Sequence, residues 1–147
     1  MGIDPRIEFK SEFVSWVEQN QEEVDHVRGL LREPLSDEPE NLIDDIKNAE
    51  AWYARMGCLL AVANSWLDRG KKVYLPDKEG RTENDRKIIV DDAISDIRLH
   101  RDHIEVLMDS IKQRLILGES ILSYSKQFKE PIISHTVREM KPGEKIW

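Results

Sequence analysis

The chain has 147 residues, 39% of them hydrophobic and 35% charged, with 22 Lys/Arg against 29 Asp/Glu and a formal net charge of −7. That length suits one domain with a sizeable core, and the sequence predicts neither a membrane-spanning helix nor a signal peptide. The single Cys58 has no partner for an internal disulfide, which predicts a reducing, cytoplasmic setting.

The first predicted helix runs from about Ser11, as N-cap, to Arg32, with Val17, Val24 and Leu31 at sevens and Phe13, Val27 and Leu30 beside them. Pro34 and Pro39 in "REPLSDEPEN" mark its end and a linker. Residues 1–41 hold four basic groups (Arg6, Lys10, Arg28, Arg32) against eleven acids, and the remaining residues balance at 18 and 18. The molecule is therefore an acidic N-terminal third on a neutral body. Such a balance argues against general phosphate-backbone binding and leaves room for a local basic site.

The second helix is expected from about Glu40 to Arg69. Leu42, Ile46, Ala49, Tyr53, Met56, Leu60, Ala63 and Leu67 follow spacings of 4 and 3 in an unbroken heptad seam, and Gly70 stands where a C-terminal cap would fall. After the loop "GKKVYLPDKEGRTEND", a third and longest helix is predicted from Thr82 to Lys129. Val90, Ile94, Ile97, Ile104, Met108, Ile111, Leu115 and Leu122 carry its seam. Thr82 with Asp85 is its capping signal, Gly118 a point of kinking or close approach, and Pro131 its stop. The layout is all-α: an elongated antiparallel helical hairpin (42–130) with coiled-coil-like packing, an N-terminal helix and linker (1–41), and a tail (131–147).

In "AEAWYARMGCLLAVANSWLD" the second helix carries a further apolar set, Trp52, Leu59, Val62 and Trp66, about 100° from the seam. Either the first helix folds back over this face, or another subunit covers it. The length of the third helix and the off-seam Ile116 and Leu117 favour a homo-oligomer, with Trp52, Trp66, Ile111, Leu115 and Ile121 at its interface.

No phosphate-binding glycine loop, nucleophile elbow or zinc-type Cys/His spacing is present. Cys58 reads as a small hydrophobe on a crowded helix. Asp96, His100 and His103 fall at i, i+4 and i+7, and Glu23 with His26 forms one Glu-x-x-His pair. A di-metal bundle needs two such pairs, and the second is missing. The expectation is a protein that is not an enzyme, with no cofactor and no metal. Between residues 69 and 87, Arg69, Lys71, Lys72, Lys78, Arg81, Arg86 and Lys87 surround Tyr74, interspersed with Asp77, Glu79, Glu83 and Asp85. Cations beside an aromatic ring suit single-stranded nucleic acid, and a solvated turn has much the same composition. Lys112, Arg114, Lys126 and Lys129 add charge along the third helix, and Arg138, Lys141 and Lys145 add it in the tail.

The combination of "AEAWYARMGCLLAVANSWLD", a polar turn and a long helix closing in "LMDSIKQRLILGESILSYSKQF" resembles the UvsY-type recombination mediators of tailed phages over roughly residues 42–130. The resemblance implies a homo-oligomeric, single-stranded-DNA-binding accessory protein, acting with a RecA-like recombinase and single-strand binding protein in a phage-infected bacterial cytoplasm. Under it, Arg69, Lys71, Lys72, Arg81, Lys112, Arg114 and Lys126 would neutralise phosphates and Tyr74 would stack on a base. That family carries basic residues just before a Leu-Asp in the hairpin's first helix. Here "NSWLDRGKK" has Asn64 and Trp66 there, with the cations displaced to Arg69, Lys71 and Lys72. The alternative is an acidic helical protein-interaction or inhibitor module that does not bind nucleic acid, using Glu18, Glu22, Glu23 and Asp25 on a basic partner.

Overall fold

A computed structural model describes residues 2–139, with side chains through residue 126. Four helices, in the order α1 (Pro5–Arg32), α2 (Pro39–Val73), α3 (Glu83–Ala93) and α4 (Ser95–Glu139), make an all-α architecture with no strand among the described residues. None of the described helices is long and apolar enough to cross a membrane.

α1 begins earlier than the Ser11 cap predicted. Asp4 accepts the Arg6 backbone N–H at 2.9 Å, and Pro5 takes the first helical position, where its missing N–H costs nothing. The helix ends at Glu33, which is extended because Pro34 follows it. α2 starts on Pro39 and runs through Gly70 to Val73, so Gly70 is helix interior and not a cap. A Cβ on Gly70 would lie 3.1 Å from both Ile94 Cγ2 and Ile97 Cδ1. The glycine is therefore a contact point, letting the start of α4 sit directly on α2.

The predicted third helix is two helices. Thr82 and Asp85 form the expected reciprocal cap. At Ile94 the backbone turns (φ −97°, ψ 7°) and Ser95 Oγ donates to the Asp92 carbonyl at 2.8 Å. This bend folds α3 around the end of α2. Gly118 is a point of close approach: it is buried within α4, and a Cβ there would come 3.0 Å from Ile46 Cγ1. Pro131 does not stop α4, which continues to Glu139. A proline removes one internal hydrogen bond, and the turns on either side retain theirs.

α2 and α4 run antiparallel: Gly118 meets Ile46, Gly57 meets Met108 and Gly70 meets Ile97. Past about residue 125, α4 outruns the start of α2 by roughly 20 Å at 1.5 Å per residue. α1 lies along both. One core cluster joins Val24 and Val27 of α1 to Met56, Leu59 and Ala63 of α2 and Ile104, Leu107 and Ile111 of α4. The other joins Phe9 and Phe13 to Trp66, Leu67, Val90, Ile94 and Ile97. On the second apolar face of α2, Leu59 and Trp66 are thus covered by the chain's own first helix and Trp52 in part, while Val62 stays exposed, and residues 1–41 share the core of the hairpin.

Candidate nucleic-acid interface

The C-terminal turn of α2 is basic because Lys71 and Lys72 complement the exposed carbonyl end of the helix. The chain then reverses through Tyr74–Thr82, with Gly80 in the left-handed region (φ 70°), and returns as α3. Between these elements lies an open groove of about 1000 Å³ lined by Lys71, Lys72, Leu75, Arg86, Lys87, Val90 and Arg98, with Glu83, Asn84 and Asp91 completing it. Arg86 supports the wall: its Nε donates to the Pro76 carbonyl at 3.0 Å and its Nη1 is 3.5 Å from Glu83. Arg98 is 3.5 Å from Asp91. Lys71, Lys72 and Lys87 make no ion pair among the described residues, so three ammonium groups face solvent around an apolar floor of Leu75 and Val90.

The residues singled out by sequence divide. Lys71 and Lys72 are in the groove. Arg69 points the other way, onto the Trp66 ring at 4.4 Å and within 3.6 Å of Glu12 on α1. Tyr74 is turned toward α1: its ring is edge-on to Phe9, its hydroxyl donates to the Arg6 carbonyl at 3.4 Å, and burial raises its pKa. It does not line the groove. Arg81 Nη1 bonds the Asp77 carbonyl, holding the loop. Arg114 donates to the Glu33 carbonyl at 2.6 Å and ties the end of α1 to α4. Lys112 and Lys126 are exposed on α4, at least about 20 Å along the helix from Arg98. The side chains of Lys129 and Arg138, and all of Lys141 and Lys145, lie outside the described residues.

Of the residues predicted at an interface, Trp66 and Ile111 are core residues of this chain. Trp66 is surrounded by Phe9, Phe13 and Trp16, with ring centroids 5.3, 5.7 and 6.2 Å away. Trp52 is half-buried and stacks on His26 at 4.7 Å, and Leu115 and Ile121 are half-buried. Cys58, read as a packed hydrophobe, is exposed. Sequence reasoning left Arg98 out of the site, because 26 residues separate it from Lys72 until the hairpin reverses.

The metal-type spacings are occupied otherwise. Asp96 lies 3.9 Å from Lys10, His103 accepts from Arg28, and Glu23 is held by Arg55 Nε and Nη2 at 2.5 and 2.9 Å. That bidentate pair keeps the Glu23 carboxyl below its ordinary range. Among the described residues no group of three His, Cys, Asp or Glu is close enough to hold a metal ion.

Compared with protein families, with characterised proteins and with solved structures, the chain gives no match.

Proposed function

We propose that this protein is a non-enzymatic accessory factor that binds single-stranded DNA along the basic groove at the hairpin tip. As the resemblance to UvsY-type mediators implies, it would work as a homo-oligomer that helps load a RecA-like recombinase onto strands covered by single-strand binding protein. One observation carries the reading: Lys71, Lys72 and Lys87 converge on one groove with Arg86 and Arg98 although the chain as a whole is acidic. Three unpaired ammonium groups spaced over two facing helices suit the phosphates of a flexible strand, and Leu75 and Val90 offer an apolar floor to the sugars and bases.

The test is fluorescence anisotropy of a labelled single-stranded oligonucleotide at two salt concentrations. Three phosphate contacts give a slope of log affinity against log salt near −2, at about 0.7 per phosphate. The double charge reversal Lys71→Glu with Lys72→Glu is expected to lower affinity at least about tenfold and flatten that slope. Undiminished binding by this variant rules out the groove.

A second reading is supported by the outward face of α1, where Glu8, Glu18 and Glu22 are exposed. In that reading the helix presents carboxylates to a basic protein surface and nucleic acid is not a ligand. Salt-sensitive binding of a polylysine peptide, lost in Glu18→Lys with Glu22→Lys and unaffected by the Lys71/Lys72 variant, would favour it.

A further inference from the structure

Where α1 crosses the bend between α3 and α4, the helices leave a half-open cavity of about 190 Å³. Its walls are Phe9, Phe13, Val14 and Val17 of α1, Tyr74 at the end of α2, and Ala93, Ile97 and His100 across the bend. Lys10 and Asp96 stand at the rim, 3.9 Å apart with side chains 65% and 72% exposed, so the entrance carries one charge of each sign. The interior offers little to water. His100 packs edge-on against Phe13 and Trp16, and its Nε2 is sealed from solvent without a hydrogen-bond partner. Burial, with His103 and Arg28 nearby, also holds this imidazole below its ordinary pKa, so it forms a neutral wall.

We propose that this cavity is a binding site for a small, uncharged aromatic molecule of one ring, held among Phe9, Phe13, Tyr74 and Val17. Size and chemistry both point there. An apolar cavity of about 150 Å³ is enough to hold benzene. Phe9 and Tyr74 meet edge-on at 84° with centroids 5.7 Å apart, a corner into which a third ring packs with offset or edge-to-face geometry. A charged ligand is disfavoured because Lys10 and Asp96 set opposite, solvent-screened charges at the entrance, favouring neither sign, and no counter-charge lines the cavity deeper in. Because α1 supplies half the wall, occupancy would clamp α1 to the hairpin and raise thermal stability by linkage. The site is independent of the nucleic-acid reading, since the basic groove is lined by a separate set of residues.

The probe is toluene, titrated into the full-length protein and followed through the methyl resonances of Val14, Val17 and Ile97. Saturable shifts at those methyls, none at the distant Val106 and Ile116, and a melting temperature that rises with toluene are expected. Benzoate and benzylammonium, of similar size, are expected to bind at least tenfold more weakly to the same wild-type protein. Ala93→Leu, which fills the cavity, is expected to abolish the toluene shifts while leaving those of the distant methyls unchanged. Toluene shifts that do not saturate, that spread equally to Val106 and Ile116, or that benzoate reproduces at equal affinity overturn the proposal. The wild-type comparisons decide the matter even where the leucine variant does not fold.

Discussion

Arg28 Nε donates to His103 Nε2 across 3.0 Å, and Arg28 Nη2 closes on the same nitrogen, joining the C-terminal part of α1 to α4. The lone pair that receives the guanidinium is the one a proton would take. Burial and the Arg28 charge lower the pKa of His103, and burial, His103 and Arg28 lower that of His100 one turn away. Both folded-state values therefore lie below the ordinary 6.5, and the unfolded chain binds protons that the folded one refuses. The stabilisation is complete above about pH 6.5 and is lost progressively as pH falls below it. Melting followed by circular dichroism should give a midpoint a few degrees lower at pH 5 than at pH 7.5, on the scale of roughly 2–4 °C per kcal/mol for a chain of this size. Arg28→Met should shrink that pH dependence without abolishing it, because burial is the larger cause.

Trp52 and Trp66 separate on mutation. Trp66 is 8% exposed inside an aromatic cluster that fastens α1 to α2, so Trp66→Ala should cost about 3–5 kcal/mol. Trp52 is half-buried at the edge of the other cluster, against His26, and Trp52→Ala should cost about 1 kcal/mol. Urea denaturation of the two variants measures the difference. Equal costs would mean that the aromatic cluster is not what holds α1 in place.

These two tryptophans also show what the sequence made legible. The pair of apolar faces on α2 is plain in the 3.6-residue periodicity, and the seam with α4 follows from it. Periodicity tells which faces are apolar and is silent on whether the covering helix comes from the same chain. Phe9 lies before the predicted start of α1, so one of the three rings around Trp66 was out of view, while Phe13 and Trp16 fell inside the predicted helix. The bend at Ile94 occurs in "DAISDI", without glycine or proline, because it is produced by packing on Gly70 and by the Ser95 hydroxyl. In the candidate site, Lys71 and Lys72 were visible as a local charge run, whereas the removal of Arg69, Tyr74 and Arg114 from it depends on α1, a long-range contact.

Two glycines should respond oppositely to alanine. Nothing lies within 4 Å of a Cβ on Gly29, so Gly29→Ala should stabilise by about 0.5–1 kcal/mol through helix propensity. Gly70→Ala gains the same propensity, but its methyl meets Ile94 and Ile97, which are 0% and 3% exposed and have nowhere to move. Overpacking of about 1–3 kcal/mol outweighs the gain, and a net loss near 1 kcal/mol is expected. Thermal melts of both variants decide it, and a stabilised Gly70→Ala would show that the bend at Ile94 yields easily.

With Trp66 and Ile111 inside the chain, those two side chains are not available for association of copies, and α4 carries a more exposed apolar surface. Leu99, Val106, Leu117 and Tyr124 are 71%, 60%, 55% and 63% exposed. Their spacings of 7, 11 and 7 return to within about 20° of one another at 100° per residue, so they form one stripe on a single face. That stripe runs toward the part of α4 that extends past the start of α2. The oligomer implied by the mediator reading is therefore expected to form along α4. Val106→Glu with Leu117→Glu should reduce the mass measured by light scattering while leaving the melting transition of the fold within about 0.5 kcal/mol, since both side chains are at the surface. An assembly that survives both charges would have to be built elsewhere. A wild-type chain that is already monomeric at micromolar concentration would leave the basic groove to bind DNA one subunit at a time, with the weak, modestly salt-dependent affinity of three phosphate contacts.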